Sequence, residues 1–296
     1  MQIDALCAAI QKTQCPACVG LDTELSHLPE TYRAKETDNA SISESVFRYN
    51  CDIIDAIKGV APSVKVQAAY YEQYGTEGMR CFLDTMAYAK AAGLVVIADV
   101  KRNDIGSTAK AYANAYLRNS AADFITVNAY LGIDGIAPFI EACAETGKGI
   151  FALVKTSNPS GGEFQDLAVG GRKLYEIVAD KVAEWGASIK GQSGYSSVGA
   201  VVGATYPAEA EALRQRCPHT FFLVPGYGAQ GAGADDIAVN FDKRGLGGVV
   251  NSSRGILLAW KKEAYKGMSA PQAARQAVLD MKQDILGAFE RRGIEF

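Results

Sequence analysis

The chain has 296 residues, 48% hydrophobic and 21% charged, with a net charge of −3. This is the balance of an ordinary globular protein. It lacks a broad basic footprint for nucleic acid, and no apolar run approaches the roughly 18 residues of a membrane span. The start MQIDALCAAIQKTQ has no basic leader, so no signal peptide is expected, and the location predicted is cytoplasmic. The seven cysteines include one close pair, Cys15 and Cys18, with no second pair or histidine partner, so they read as reduced structural thiols. His27 and His219 stand near prolines outside any metal-like or triad-like grouping, and neither is expected to carry chemistry.

In chain order, a helix over 2–12 precedes a first strand, 17–22. Ser41 and Glu44 have capping-box spacing ahead of a helix to about 58 whose apolar face carries Val46, Ile53, Ile54 and Ile57. A second strand covers 60–67 and a helix 77–92, which stops at Gly93. The third strand, from 94, leads to a helix running through Tyr116. Strands at 123–128 and 149–158 follow, the first with a helix marked by Ile136, Phe139, Ile140 and Cys143. A glycine-rich excursion then precedes a helix whose predicted face is Leu174, Ile177, Val178 and Val182. Strands at 198–205, 220–226 and 247–253 complete eight, with Pro207 at a helix start and a closing helix from Pro271. Eight apolar strands alternating with helices predict a single (β/α)8 barrel domain over 1–296, with an extra N-terminal helix. A doubly wound open sheet would want a glycine-rich nucleotide turn after the first strand, and GLDTEL is not one.

In such a barrel, functional groups sit at the C-terminal ends of the strands. The residues placed there are Asp22, Lys65, Asp99, Lys101, Asn128, Ser157, Gly226, Gln230, Ser253 and Arg254. The last four lie after strands seven and eight, the usual phosphate site of this architecture. Backbone N–H groups and a permanent cation suit a phosphate there. The densest cluster follows the third strand, in LVVIADVKRNDIGST: Asp99, Lys101 and Asp104. A strand-end salt bridge is the simplest reading of an isolated D-x-K, but buried charges must be paired or used. With Lys65 they predict an alternating array in one mouth, each carboxylate holding a lysine charged and each lysine a carboxylate. That argues against a Schiff-base lysine, which needs a depressed pKa, and favours Lys101 as a charged proton donor.

D-x-K-x-x-D-I-x-x-T after an apolar strand resembles the signature of orotidine 5′-phosphate decarboxylases. The strand-two lysine, TSNPSGGEFQDL, VNAYLGIDG, PGYGAQG and the S-S-R-G turn extend the resemblance to the longer bacterial subgroup, over nearly the whole chain. Where many relatives place a glycine before the arginine, this chain has Ser253. The resemblance implies conversion of orotidine 5′-phosphate to UMP and CO2, the last step of de novo pyrimidine synthesis, without metal or organic cofactor. It implies Lys101 as donor to C6, Asp99 facing the leaving carboxylate, and Lys65 with Asp104 completing the array and contacting ribose. It further implies Asp22 on a ribose hydroxyl, Ser157 on the pyrimidine edge, Gln230 between base and phosphate, and the Ser253 N–H with Arg254 on the phosphate. Gly226 opens the glycine-rich segment 226–234, which would form the lid. Asp104, Ile105 and Thr108 would act across a homodimer interface with shared sites. The alternatives are a magnesium-dependent sugar-phosphate lyase of the same superfamily, disfavoured by Lys65, and an inactive barrel that binds a nucleotide.

Overall fold

The computed structural model describes residues 1–228 and 231–296. Among these, eight strands close into a parallel barrel: β1 (Ala17–Gly20), β2 (Ser63–Gln67), β3 (Val95–Arg102), β4 (Phe124–Val127), β5 (Gly149–Lys155), β6 (Val198–Val202), β7 (Phe222–Pro225) and β8 (Gly248–Ser252). Each strand pairs with its sequence neighbours, and β1 closes on β8. The strands are apolar on both faces because both faces are covered. Outward residues such as Val64, Val96, Ile125 and Val250 join the helices in one large cluster. Inward residues, among them Ile97, Phe124, Phe151 and Leu223, form a second.

The helix Gln2–Thr13 (α1) explains the second cluster. Its Ile3, Leu6 and Ile10 are fully buried and pack with the barrel's inward residues. Because α1 runs directly into β1, and Gln2 N–H reaches Gly147 O just ahead of β5, the helix plugs the N-terminal end of the barrel. Burying each such side chain contributes roughly 1.5–3 kcal/mol. The opposite end stays open and polar.

The outer ring comprises α2 (Asn39–Ile57), α3 (Gly75–Ala91), α4 (Gly106–Ala113), α5 (Ile133–Thr146), α6 (Leu174–Trp185), α7 (Pro207–Arg216) and α8 (Ala270–Arg292). Three expectations need correction. The cap of α2 is Asp38, whose carboxylate accepts from Ala40 and Ser41 N–H, so Ser41 lies inside the helix. The helix predicted to run through Tyr116 stops at Ala113 and widens into a π-type turn over Asn114–Arg118. On α6 the buried residues are Tyr175, Ala179 and Val182, while Leu174, Ile177 and Val178 are half-buried. The excursion before α6 contains a two-stranded hairpin, Ala168–Val169 with Arg172–Lys173. All seven cysteines are free thiols. No described helix is long and apolar enough to cross a membrane.

Candidate active site

The open end of the barrel holds a cavity of about 670 Å³. Its apolar floor includes Leu153, Val201 and Leu223, from the inward face of β5, β6 and β7, and its walls are polar. Asp99, near the end of β3, is the centre. Its Oδ1 accepts from Lys101 Nζ at 2.6 Å and Thr126 Oγ1 at 2.8 Å. Its Oδ2 accepts from Lys65 Nζ and Gln67 Nε2, both at 2.9 Å. Lys65 also donates to Asp22 Oδ1 at 3.2 Å. Four donors saturate the roughly four lone-pair positions of a carboxylate.

Asp99 and Lys65 are both buried, so these bonds decide their charge. Burial favours the neutral acid, but Lys65 and Lys101 together outweigh it and hold Asp99 well below the usual carboxylate range. Burial likewise works against the Lys65 ammonium, and Asp22 and Asp99 outweigh it, raising Lys65 above the ordinary lysine value. The buried Lys65–Asp99 pair is therefore ionised throughout the neutral range. Beneath it, burial pushes the Cys18 thiol up to about 12 and Cys15 to about 11, leaving that pair inert near neutrality.

A backbone irregularity aims Lys101. Ala98 pairs with Ile125 and Arg102 with Val127, so β3 carries two more residues than β4 across this interval. Within that bulge Lys101 adopts φ +43°, a left-handed conformation costing a non-glycine residue roughly 1–2 kcal/mol. Its N–H is held by Thr126 Oγ1 at 2.9 Å. The side chain of Lys101 is 46% exposed at the cavity wall, whereas Lys65 is 5% exposed below it. One lysine is anchored in the wall and the other can reach a ligand.

Asp22, Ser157, Gly226, Ser253 and Arg254 also line this cavity. Ser253 sits against β1, where only glycine fits at position 20: a Cβ there would lie 1.9 Å from Ser253 Oγ. Gln230 lies outside the described residues, as does part of the predicted lid. Asp104 is not among the side chains lining its own chain's cavity, contrary to the expected array in one mouth; Asp22 is the second anion instead. The chain leaves the barrel at Asn103, packs the Asp104 backbone beside Gly135 of α5, and uses Asp104 Oδ1 to accept from Ile105 N–H. Ile105 and Thr108 are exposed outside the cavity.

Two contributors are not evident from the sequence. Thr126 and Gln67 are uncharged, and their only signal is a polar residue near the end of an apolar strand. His27, expected to carry no chemistry, lines the cavity beside Asp22, and burial depresses its pKa despite Glu24 at 3.3 Å.

The chain matches the family described as "Orotidine 5'-phosphate decarboxylase / HUMPS family" over residues 16–267. It is 45% identical to the orotidine 5′-phosphate decarboxylase of Rhodopirellula baltica, over 95% of this chain and 97% of that one. Identity to the enzyme of Clostridium tetani is 42%, over 99% of this chain and all of the relative. The structure of Leishmania donovani OMP decarboxylase superimposes with a TM-score of 0.75 at 28% identity, covering 97% of this chain and 98% of that one. The chain belongs to the orotidine 5′-phosphate decarboxylase family.

Proposed function

We propose that this chain, an orotidine 5′-phosphate decarboxylase by family, converts orotidine 5′-phosphate to UMP and CO2 with its own side chains, Lys101 delivering the proton. The observation that carries this reading is the saturated Asp99 with Lys101 hydrogen-bonded at its exposed side. Breaking the C6–carboxylate bond leaves an electron pair in the plane of the pyrimidine, where no carbonyl can delocalise it. A fixed ammonium at that position stabilises the pair as it develops. Proton transfer from Lys101 Nζ to C6 then forms the new C–H bond, CO2 departs, and water reprotonates the amine. Asp99, held ionised, faces the leaving carboxylate. At about 4 Å and an effective dielectric near 20, two unit charges interact by roughly 4 kcal/mol.

Asp22 and Lys65 are assigned to the ribose, Ser157 to the pyrimidine edge, and Gly226, Ser253 and Arg254, with Gln230, to the phosphate. Phosphate contacts far from C6 supply binding energy for positioning. No cofactor enters this scheme: four donors already occupy the Asp99 carboxylate, and two of them are lysine ammonium groups that would repel a divalent cation. We assign Asp104, Ile105 and Thr108 to the cavity of a second copy. That assignment is supported by 55% exposure of Ile105 and by exposed Tyr130, Leu131 and Ile133 on the same side, with Leu131 and Asp104 both packed on Gly135.

The test separates chemistry from binding. Lys101→Ala abolishes turnover and leaves UMP affinity nearly unchanged. Arg254→Ala weakens UMP binding by about ten- to a hundredfold, the worth of a charge-assisted hydrogen bond. Equal loss of UMP affinity in both variants contradicts this division of roles.

A further inference from the structure

Outside the cavity, the structure holds a second buried cation that the chemistry above does not use. Lys155, the last residue of β5, is 1% exposed. A bulge accounts for its direction: Leu153 pairs with Val201 and Lys155 with Val202, so one extra residue turns Lys155 out of the inward phase. Its Nζ donates to Asp166 Oδ1 at 2.7 Å and lies 3.4 Å from Glu209 Oε2. The rings of Tyr206 and Tyr175 stand at 4.6 and 5.0 Å. A buried ammonium is costly unless paired, and here the partners come from the excursion (Asp166), α6, the segment after β6, and α7.

The same excursion grips the next residue of the chain. Gln165, beside Asp166, accepts from Thr156 N–H at 3.0 Å and donates to Thr156 Oγ1 at 2.7 Å. On the other side, Gly203 N–H donates to Lys155 O at 2.7 Å. A Cβ at 203 would stand 2.9–3.0 Å from Ser157 N, Cα and Cβ, so the turn 156–158 lies directly on β6's end. Thr156, Ser157 and Asn158 line the cavity; Lys155 and Asp166 do not.

We infer that Lys155 is a positioning residue for the decarboxylation: its cation clamps the excursion to the barrel so that Ser157 is presented to the pyrimidine. The inference rests on the assignment of Ser157 to the base. Small misplacements of positioning groups cost up to about a hundredfold in rate.

The experiment measures kcat/KM for orotidine 5′-phosphate, with Tm alongside, in Lys155→Met, Ser157→Ala and the double variant. Expected is a loss of about ten- to a hundredfold in Lys155→Met that disappears in the Ser157→Ala background, because the clamp then has nothing to position. A lowered Tm with unchanged kcat/KM overturns the inference, as does the same fold-loss in both backgrounds. Should Lys155→Met not fold, Asp166→Asn, altered at the partly exposed partner, must show the same dependence on Ser157. A Ser157→Ala variant with wild-type kcat/KM removes the base contact and the inference together, whereas separate multiplying losses overturn the inference alone.

Discussion

The backbone of Lys101 is strained where its side chain is most needed. Left-handed backbone at a non-glycine residue persists only when surroundings over-determine it, and here the bulge of β3 and the Thr126 hydroxyl do so. Replacing Lys101 by glycine should therefore give a protein about 1 kcal/mol more stable than replacing it by alanine, measured by urea unfolding. Alanine equal to or better than glycine would mean that residue 101 relaxes to extended backbone once the lysine is gone. Lys65, Asp99 and Lys101 were legible in the sequence because a charge at the end of an apolar strand is costly unless it is paired or used. Thr126 and Gln67 were not, because a hydroxyl or amide in a strand carries no comparable cost when exposed, and the sequence does not say which face it takes. The left-handed turn at Lys101 was equally hidden, since glycine is the usual marker for it and none stands there.

At the level of elements, apolar runs of four to eight residues located every barrel strand, because all eight are covered on both faces. Helix boundaries and rotations were harder to read. Asp38 offers the α2 N–H groups a carboxylate three residues before Ser41, and the earlier acceptor takes the cap. On α6 the predicted face is Leu174, Ile177, Val178 and Val182; Tyr175, drawn in beside the Lys155 ammonium, is buried in place of Leu174 and Ile177. The bulges in β3 and β5 left no mark in periodicity, yet they aim Lys101 into the cavity and Lys155 away from its inward phase. The N-terminal helix was visible as a helix, but its role as the barrel's plug came only from its packing with the inward cluster.

For the molecule as a whole, the parallel barrel gathers residues more than 200 positions apart, Asp22 and Arg254 among them, at one mouth. That followed from strand order alone, which is why the resemblance and the structure place most site residues together. Asn128, Asp104, Ile105 and Thr108 are the exceptions: Asn128 Oδ1 instead accepts from Tyr130 N–H, and the dimer assignment gives the other three a place in a second copy's site. Mixing inactive Asp104→Ala with inactive Lys101→Ala protein should restore part of the activity through hybrid sites; no recovery despite demonstrated subunit exchange would contradict a shared site. The central claim is that the chain decarboxylates with its own side chains. The direct measurement is the loss of ultraviolet absorbance of orotidine 5′-phosphate on adding purified, EDTA-treated protein. Rapid loss with UMP as the product is the predicted result, and no loss until Mg²⁺ is restored would contradict it.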